Sequence, residues 1–253
     1  MKISEETQQI LRNFASINQS ILLKPGNRVS TMSVMRNILA SADVEEDFPV
    51  QFGIYDLPRF IGNLSIYPEL EFNDKFILMT DGQKSYKFMA SDPSIIVFPT
   101  TTFKMSGSDN DPDDAKDAPA ADIDVVLTDT TLQTIKKVAS INGLPDYALQ
   151  TFDGDINFVA LDKKNDTTDI AKEPVGKSDV EFNMYFRAEN LKFIEGDYNV
   201  GVSRDKISTF RHATKDVQYW VTSSSCPSLA KSILLMTNKM GTPEAFILVM
   251  TSS

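Results

Sequence analysis

The chain repeats itself across an acidic gap. Arg12-Asn-Phe-Ala-Ser-Ile-Asn18 returns as Lys136-Lys-Val-Ala-Ser-Ile-Asn142, Val50-Gln-Phe-Gly-Ile-Tyr55 as Val180-Glu-Phe-Asn-Met-Tyr185, and Arg59-Phe-Ile61 as Lys192-Phe-Ile194. Order and spacing are both kept, so the chain reads as a duplicated unit of roughly 100 residues. Between the copies lies a stretch without hydrophobic periodicity, and residues 106–124 hold seven aspartates against the single Lys116. Such a segment cannot bury enough apolar surface to order itself and is expected to be a solvated linker. The resulting division is a first domain at 1–105, a linker at 106–121, a second domain at 122–225, and an extension at 226–253 that has no counterpart in the repeat.

Each half opens with a helix. In residues 4–17, Ser4 stands as N-cap before Glu5 and Glu6, and Ile10, Leu11, Phe14 and Ile17 form one apolar stripe with Arg12 on the opposite side. In the second half Leu132, Ile135, Val138 and Ala139 form the stripe, Lys136 and Lys137 flank the polar side, and Gly143 and Pro145 end the helix. A shorter second helix is expected in each copy. The first is capped by Asp56 and buries Leu57, Phe60, Ile61 and Leu64 with Arg59 turned away; the second covers 188–194 with Lys192 turned away.

Period-two alternation marks strands at 50–54 and 180–184, and further strands are expected at 20–24, 29–34, 76–80, 86–90, 95–98, 148–152, 157–161, 198–203 and 217–222. Pro25-Gly26, Asp81-Gly82, Asp153-Gly154 and Glu195-Gly196 supply the turns. The fold class is therefore α+β: two duplicated domains, each with two helices packed on antiparallel sheet.

One cysteine and one histidine exclude a disulfide framework and the usual zinc sites, and no stretch has the roughly 20 apolar residues of a membrane helix. No phosphate loop, dinucleotide fingerprint, HExxH or GxSxG is present, so neither a catalytic constellation nor a cofactor is expected. The Asp162–Asp169 stretch lacks the glycine and terminal glutamate of a calcium loop and is expected to be a polar hairpin loop. The net charge of −10 speaks against nucleic acid only until the acidity is located, because residues 106–124, the linker and the first residues after it, carry a net −6 of it.

The words Leu11-Arg-Asn-Phe-Ala-Ser-Ile-Asn18, Ile21-Leu-Leu-Lys24, Ile54-Tyr-Asp-Leu57, Ala90-Ser-Asp-Pro-Ser-Ile-Ile-Val97 and Glu195-Gly-Asp-Tyr198 resemble, in this order, the DNA polymerase sliding clamps of T4-type bacteriophages. The resemblance covers about residues 1–225. It implies a non-enzymatic processivity factor: a homotrimeric ring, helices inward, that encircles duplex DNA without sequence specificity and tethers the replicative polymerase. It also implies loading by a separate ATPase complex, use by late-transcription factors, and residence in the cytoplasm of an infected bacterial host. With this resemblance, the cations on the polar helix faces, Arg12, Arg59, Lys136, Lys137 and Lys192, become the expected DNA-facing residues, and Lys24 and Arg187 are weaker candidates because a turn and a helix start fix their direction poorly. The alternative is a phage structural or assembly ring that never meets DNA.

Overall fold

The structure, a computed structural model, describes residues 1–100, 102–109, 111–165 and 167–225, with no account of the side chains of Ser224 and Ser225. The first half runs α1 (Glu5–Ile17), β1 (Ile21–Leu23), β2 (Gly26–Met32), β3 (Ile38–Phe48), β4 (Phe52–Ile54), α2 (Leu57–Leu64), β5 (Glu69–Phe72), β6 (Phe76–Asp81) and β7 (Lys84–Met89). The second runs β8 (Ile123–Leu127), α3 (Asp129–Asn142), β9 (Asp146–Phe152), β10 (Asp155–Leu161), β11 (Ala171–Lys177), β12 (Asn183–Arg187), β13 (Tyr198–Val202), β14 (Ile207–His212), β15 (Val217–Thr222) and β16 (Ser224–Ser225).

The helices start where side-chain oxygens satisfy free backbone donors. Ser4 accepts from Thr7, Asp56 from Arg59, and Thr128 from Thr131, and Gly143 ends α3 in the left-handed region at φ +64°. The stripes predicted on α1 and α2 are buried: Ile10, Leu11, Phe14 and Ile17 on one, Leu57, Phe60, Ile61 and Leu64 on the other.

The pairings repeat as the words do. β1 pairs with β4 as β9 pairs with β12, β2 with β3 as β10 with β11, and β5-β6-β7 matches β13-β14-β15. Even the isolated bridge Lys2–Glu69 answers to the β8–β13 ladder. The halves are then fused, because β3 of the first pairs antiparallel with β15 of the second, from Val217 opposite Ala42 to Val221 opposite Ile38. A six-stranded sheet, β2-β3-β15-β14-β13-β8, runs through the seam, and one apolar core extends across both halves.

Three expectations are corrected. The helix expected over 188–194 is only a 3-10 turn, Ala188–Asn190, followed by irregular chain to β13; Arg187 offers no capping side chain, and Asn13, Tyr198 and Tyr219 bond to the backbone of Lys192 and Ile194 instead. The strand expected at 95–98 does not form: Pro93–Ile95 is a 3-10 turn, because Asp92 caps Ser94 and Pro93 favours the first turn of a helix, and residues 96–98 follow as irregular chain. The acidic stretch is docked rather than solvated. Ser106 donates to Gln218 of β15 at 3.1 Å, Phe103 packs on Trp220 with ring centroids 5.6 Å apart, and Asp111 and Ser108 both meet Arg28 of β2. The segment is a strap over the fused sheet. The extension at 226–253 lies outside the described residues. Among the described residues no helix is long and apolar enough to cross a membrane.

Candidate nucleic-acid interface

α1 lies on β3 and β2 and beside α2, while α3 lies on β10 and β11. Residues 191–197 close the gap between α1 and α3. Lys192 Nζ donates to Ser16 O at the end of α1 at 2.6 Å, Asn13 of α1 donates to Lys192 O at 3.1 Å, and the Lys136 ammonium of α3 lies 5.7 Å from the centre of the Phe193 ring. Helices from both halves and this connecting segment thus share one layer on the sheets.

The outward faces of that layer have an unusual charge content. The chain has 35 Asp and Glu, yet α1, α2 and α3 carry carboxylates only at Glu5, Glu6 and Asp129 in the first turns of α1 and α3, and every other charged residue on them is a cation. Arg12 is exposed and donates to Gln8 one turn earlier at 3.1 Å, which holds the guanidinium along the helix. Arg59 is exposed and rests 5.2 Å over the Phe88 ring, whose negative face favours a cation. Lys137 is exposed, and so is Lys192, whose ammonium spends one of three protons on Ser16. Lys136 differs from its neighbour. It is half-buried, and desolvation pushes its pKa below the ordinary lysine value despite the nearby Asp129 and Glu195 carboxylates.

The two weaker candidates stand apart. Lys24 lies 5.8 Å over the Phe98 ring on the rim of a cleft of about 560 Å³ beneath the strap, among Asp47, Asp111 and Asp114. Arg187 precedes the 3-10 turn and pairs with Glu189 at 3.1 Å. Each has carboxylates for company, unlike Arg12, Arg59 and Lys137, for which no ion pair is found among the described residues.

Sequence reasoning missed the residues that hold the layer together. Tyr219 of β15 is fully buried and its hydroxyl donates to Asn13 at 2.8 Å; Tyr198 donates to Ile194 O at 2.6 Å; and burial raises the pKa of both phenols. A polar Asn13 beside the apolar stripe of α1 was the one local signal. Its partners are 179 and 206 positions away.

No family model matches the chain. A sliding clamp of Vibrio phage KVP40 is 31% identical over 224 residues, covering 83% of this chain and 94% of that protein. The chain belongs to the sliding-clamp family. The sliding clamp of Escherichia phage RB69 is 27% identical over 209 residues, covering 79% of this chain and 86% of its own. In fold, PCNA from Thermococcus kodakaraensis matches with a TM-score of 0.59 at 11% identity, covering 87% of this chain and 96% of that one. The duplicated α+β clamp fold, the phage affinity and the role of a DNA polymerase processivity clamp expected from the sequence are borne out.

Proposed function

We propose that this clamp works as a closed trimeric ring around duplex DNA, its helix layer turned inward, with Arg12, Arg59, Lys137 and Lys192 meeting phosphates and Lys136 reinforcing the local potential from its half-buried place. The observation that carries this is that, past Glu5, Glu6 and Asp129 at the helix starts, the charge on the helices of an acidic protein is all cationic. Contacts of this kind are sequence-independent and screened by salt, and they let a topologically retained ring slide. The two domains are 1–105 and 122–225, with the acidic strap between them.

Ring closure follows from the duplication. Within the protomer, β15, the counterpart of β7, pairs with β3, the counterpart of β11. Their counterparts, β7 and β11, are both sheet edges. Pairing β7 of one protomer with β11 of the next would reproduce the internal seam as a heterologous contact, and such contacts close into rings when the rotation allows. Thr222 pairs with Ile207 as Met89 pairs with Phe76, so Lys87 takes the place of Trp220, which faces Leu39, and comes opposite the Ala171 end of β11.

The partners are duplex DNA, two further copies, the replicative polymerase, a clamp-loading ATPase and late-transcription factors, in the cytoplasm of the infected host. The clamp itself has no enzymatic role. The test is the quadruple replacement of Arg12, Arg59, Lys137 and Lys192 by Ala. Polymerase runs should shorten and loading should slow, most at moderate salt, while ring mass is unchanged. Unaltered loading and synthesis across a salt series in a folded ring would instead favour a structural ring that never meets DNA.

A further inference from the structure

Residues 191–197 stand where the first half has α2, but they have no helical ladder, and side chains from five other elements meet their backbone. Asn13 of α1 donates to Lys192 O, Tyr198 of β13 to Ile194 O, and Ile194 N donates to the Tyr219 hydroxyl of β15 at 3.3 Å. Gly196 N donates to Asp129 of α3 at 2.9 Å. His212 Nδ1 accepts from the backbone of Thr214 and Lys215 at 3.2 and 3.1 Å, so its proton sits on Nε2, which donates to Glu195 O at 3.1 Å.

Within this set one chain of bonds crosses from one half to the other. Tyr219 has one hydroxyl proton and gives it to Asn13 Oδ1. That fixes which end of the Asn13 amide accepts and leaves Nδ2 to donate to Lys192 O. Lys192 then returns its ammonium to Ser16 O, in the last turn of the helix that carries Asn13. A buried Tyr and a half-buried Asn are an expensive way to fill space, since an apolar pair would need no partners. Their use is specificity of placement.

We propose that Tyr219 and Asn13 are positioning residues of the DNA-facing surface: the relay Tyr219–Asn13–Lys192 locks α1 of the first half to residues 191–197 of the second, and so fixes the spacing of Arg12 and Lys192 across the seam inside each protomer. This rests on the cationic helix layer facing DNA. The relay makes that internal seam a rigid part of the lining, whereas the β7 and β11 edges carry no such cross-link within the protomer.

The experiment uses the full chain as Tyr219→Phe, Asn13→Ala, Lys192→Ala and Tyr219→Phe with Lys192→Ala. Two quantities are read: amide hydrogen exchange by residue, and association with a labelled linear duplex across a salt series. Tyr219→Phe removes only the hydroxyl and keeps the ring, and should speed exchange at Ile194 about tenfold while α3 is unchanged, the scale of one lost hydrogen bond. Tyr219→Phe and Asn13→Ala should each lower the salt dependence of DNA association about as much as Lys192→Ala, and the double variant should be no worse than Lys192→Ala alone. Unchanged exchange at 191–197 in Tyr219→Phe, or losses in DNA association that add in the double variant, would overturn the relay. If exchange accelerates as expected but Lys192→Ala and the relay variants all bind duplex like the parent, the placement of Lys192 on DNA is what fails, and the positioning role fails with it; an intact effect of the quadruple variant would then keep the wider lining.

Discussion

Arg28 of β2 donates to Asp111 of the strap at 2.8 Å across 83 positions of sequence, and the same guanidinium forks onto Asp43 of β3. Ser108 completes the cluster by donating to Asp43 at 2.5 Å, and Asp111 also accepts from the backbone of Met105 at 2.9 Å. The acidic stretch is therefore tied down by one cation that two carboxylates share. Burial alone would lower the Arg28 pKa, but the bonds from Asp43 and Asp111 outweigh it and raise the value, so the charge is permanent wherever the protein folds.

Removing that cation leaves two largely buried carboxylates side by side. Arg28→Ala should cost about 3 kcal/mol, and Asp111→Asn about 1 kcal/mol because Arg28 keeps Asp43. Urea denaturation of the two variants checks the order. Equal, small losses would mean the strap contributes little to the folded state.

Gly196 has φ +143°, and a Cβ there would lie 2.3 Å from His212 Nε2. Gly196→Ala should therefore destabilise the protein by about 3 kcal/mol, combining backbone strain with a clash against a rigid ring held by two backbone donors. Adding His212→Ala removes the ring and should recover part of the loss. Thermal unfolding of the single and double variants reads both terms, and a double variant no better than Gly196→Ala would place the whole cost in the backbone.

Lys136 should show its burial as pH dependence. Its folded pKa lies below the ordinary 10.5, so between those values the unfolded chain binds more protons and stability rises with pH. Below the folded value the cost of the buried charge is fully present. Lys136→Met should then be more stable than the parent at neutral pH, by on the order of 0.5 kcal/mol, with the advantage shrinking as pH approaches 10.5. Denaturation curves at pH 7, 8.5 and 10 check the trend.

β6 and β7 are joined by the two-residue turn Gly82-Gln83, with Asp81 opposite Lys84. In such a hairpin the flanking pair is hydrogen-bonded, so Lys84, Tyr86 and Phe88 face β6 and Lys87 turns its N–H to the open edge. Lys87→Pro should leave the hairpin paired and deny a donor to an incoming strand. Light scattering should report loss of the ring with the far-ultraviolet circular dichroism of the parent. An intact ring would mean that protomers do not meet by adding β11 to this edge.

Local chemistry alone fixed much of this protein. The caps Ser4 and Asp56, the apolar stripes of α1 and α2, the turns at Gly82 and Gly154, and the duplication itself are all written within a few residues of where they act, and each survives in the structure. The exposed cations Arg12, Arg59 and Lys137 were equally legible, because a polar helix face is set by periodicity. Other features depended on distant partners. Nothing near β3 announces an 11-residue strand: its tail, Glu45-Glu46-Asp47, looks like surface until Glu46 is seen to turn inward onto Thr7. The strap reads as solvated because the apolar anchors Phe103 and Met105 lie just before it, and what docks it, Arg28, Gln218 and Trp220, belongs to strands that the fold brings beneath it. Residues 188–194 have the pattern of a helix, but an isolated turn gains little from helical bonds, and Asn13, Tyr198 and Tyr219 offer its backbone better ones. The split between Lys136 and Lys137, adjacent in sequence, was decided by Phe193 lying beneath only one of them. Tertiary structure decides wherever a polar group must choose among partners that the chain brings together only on folding.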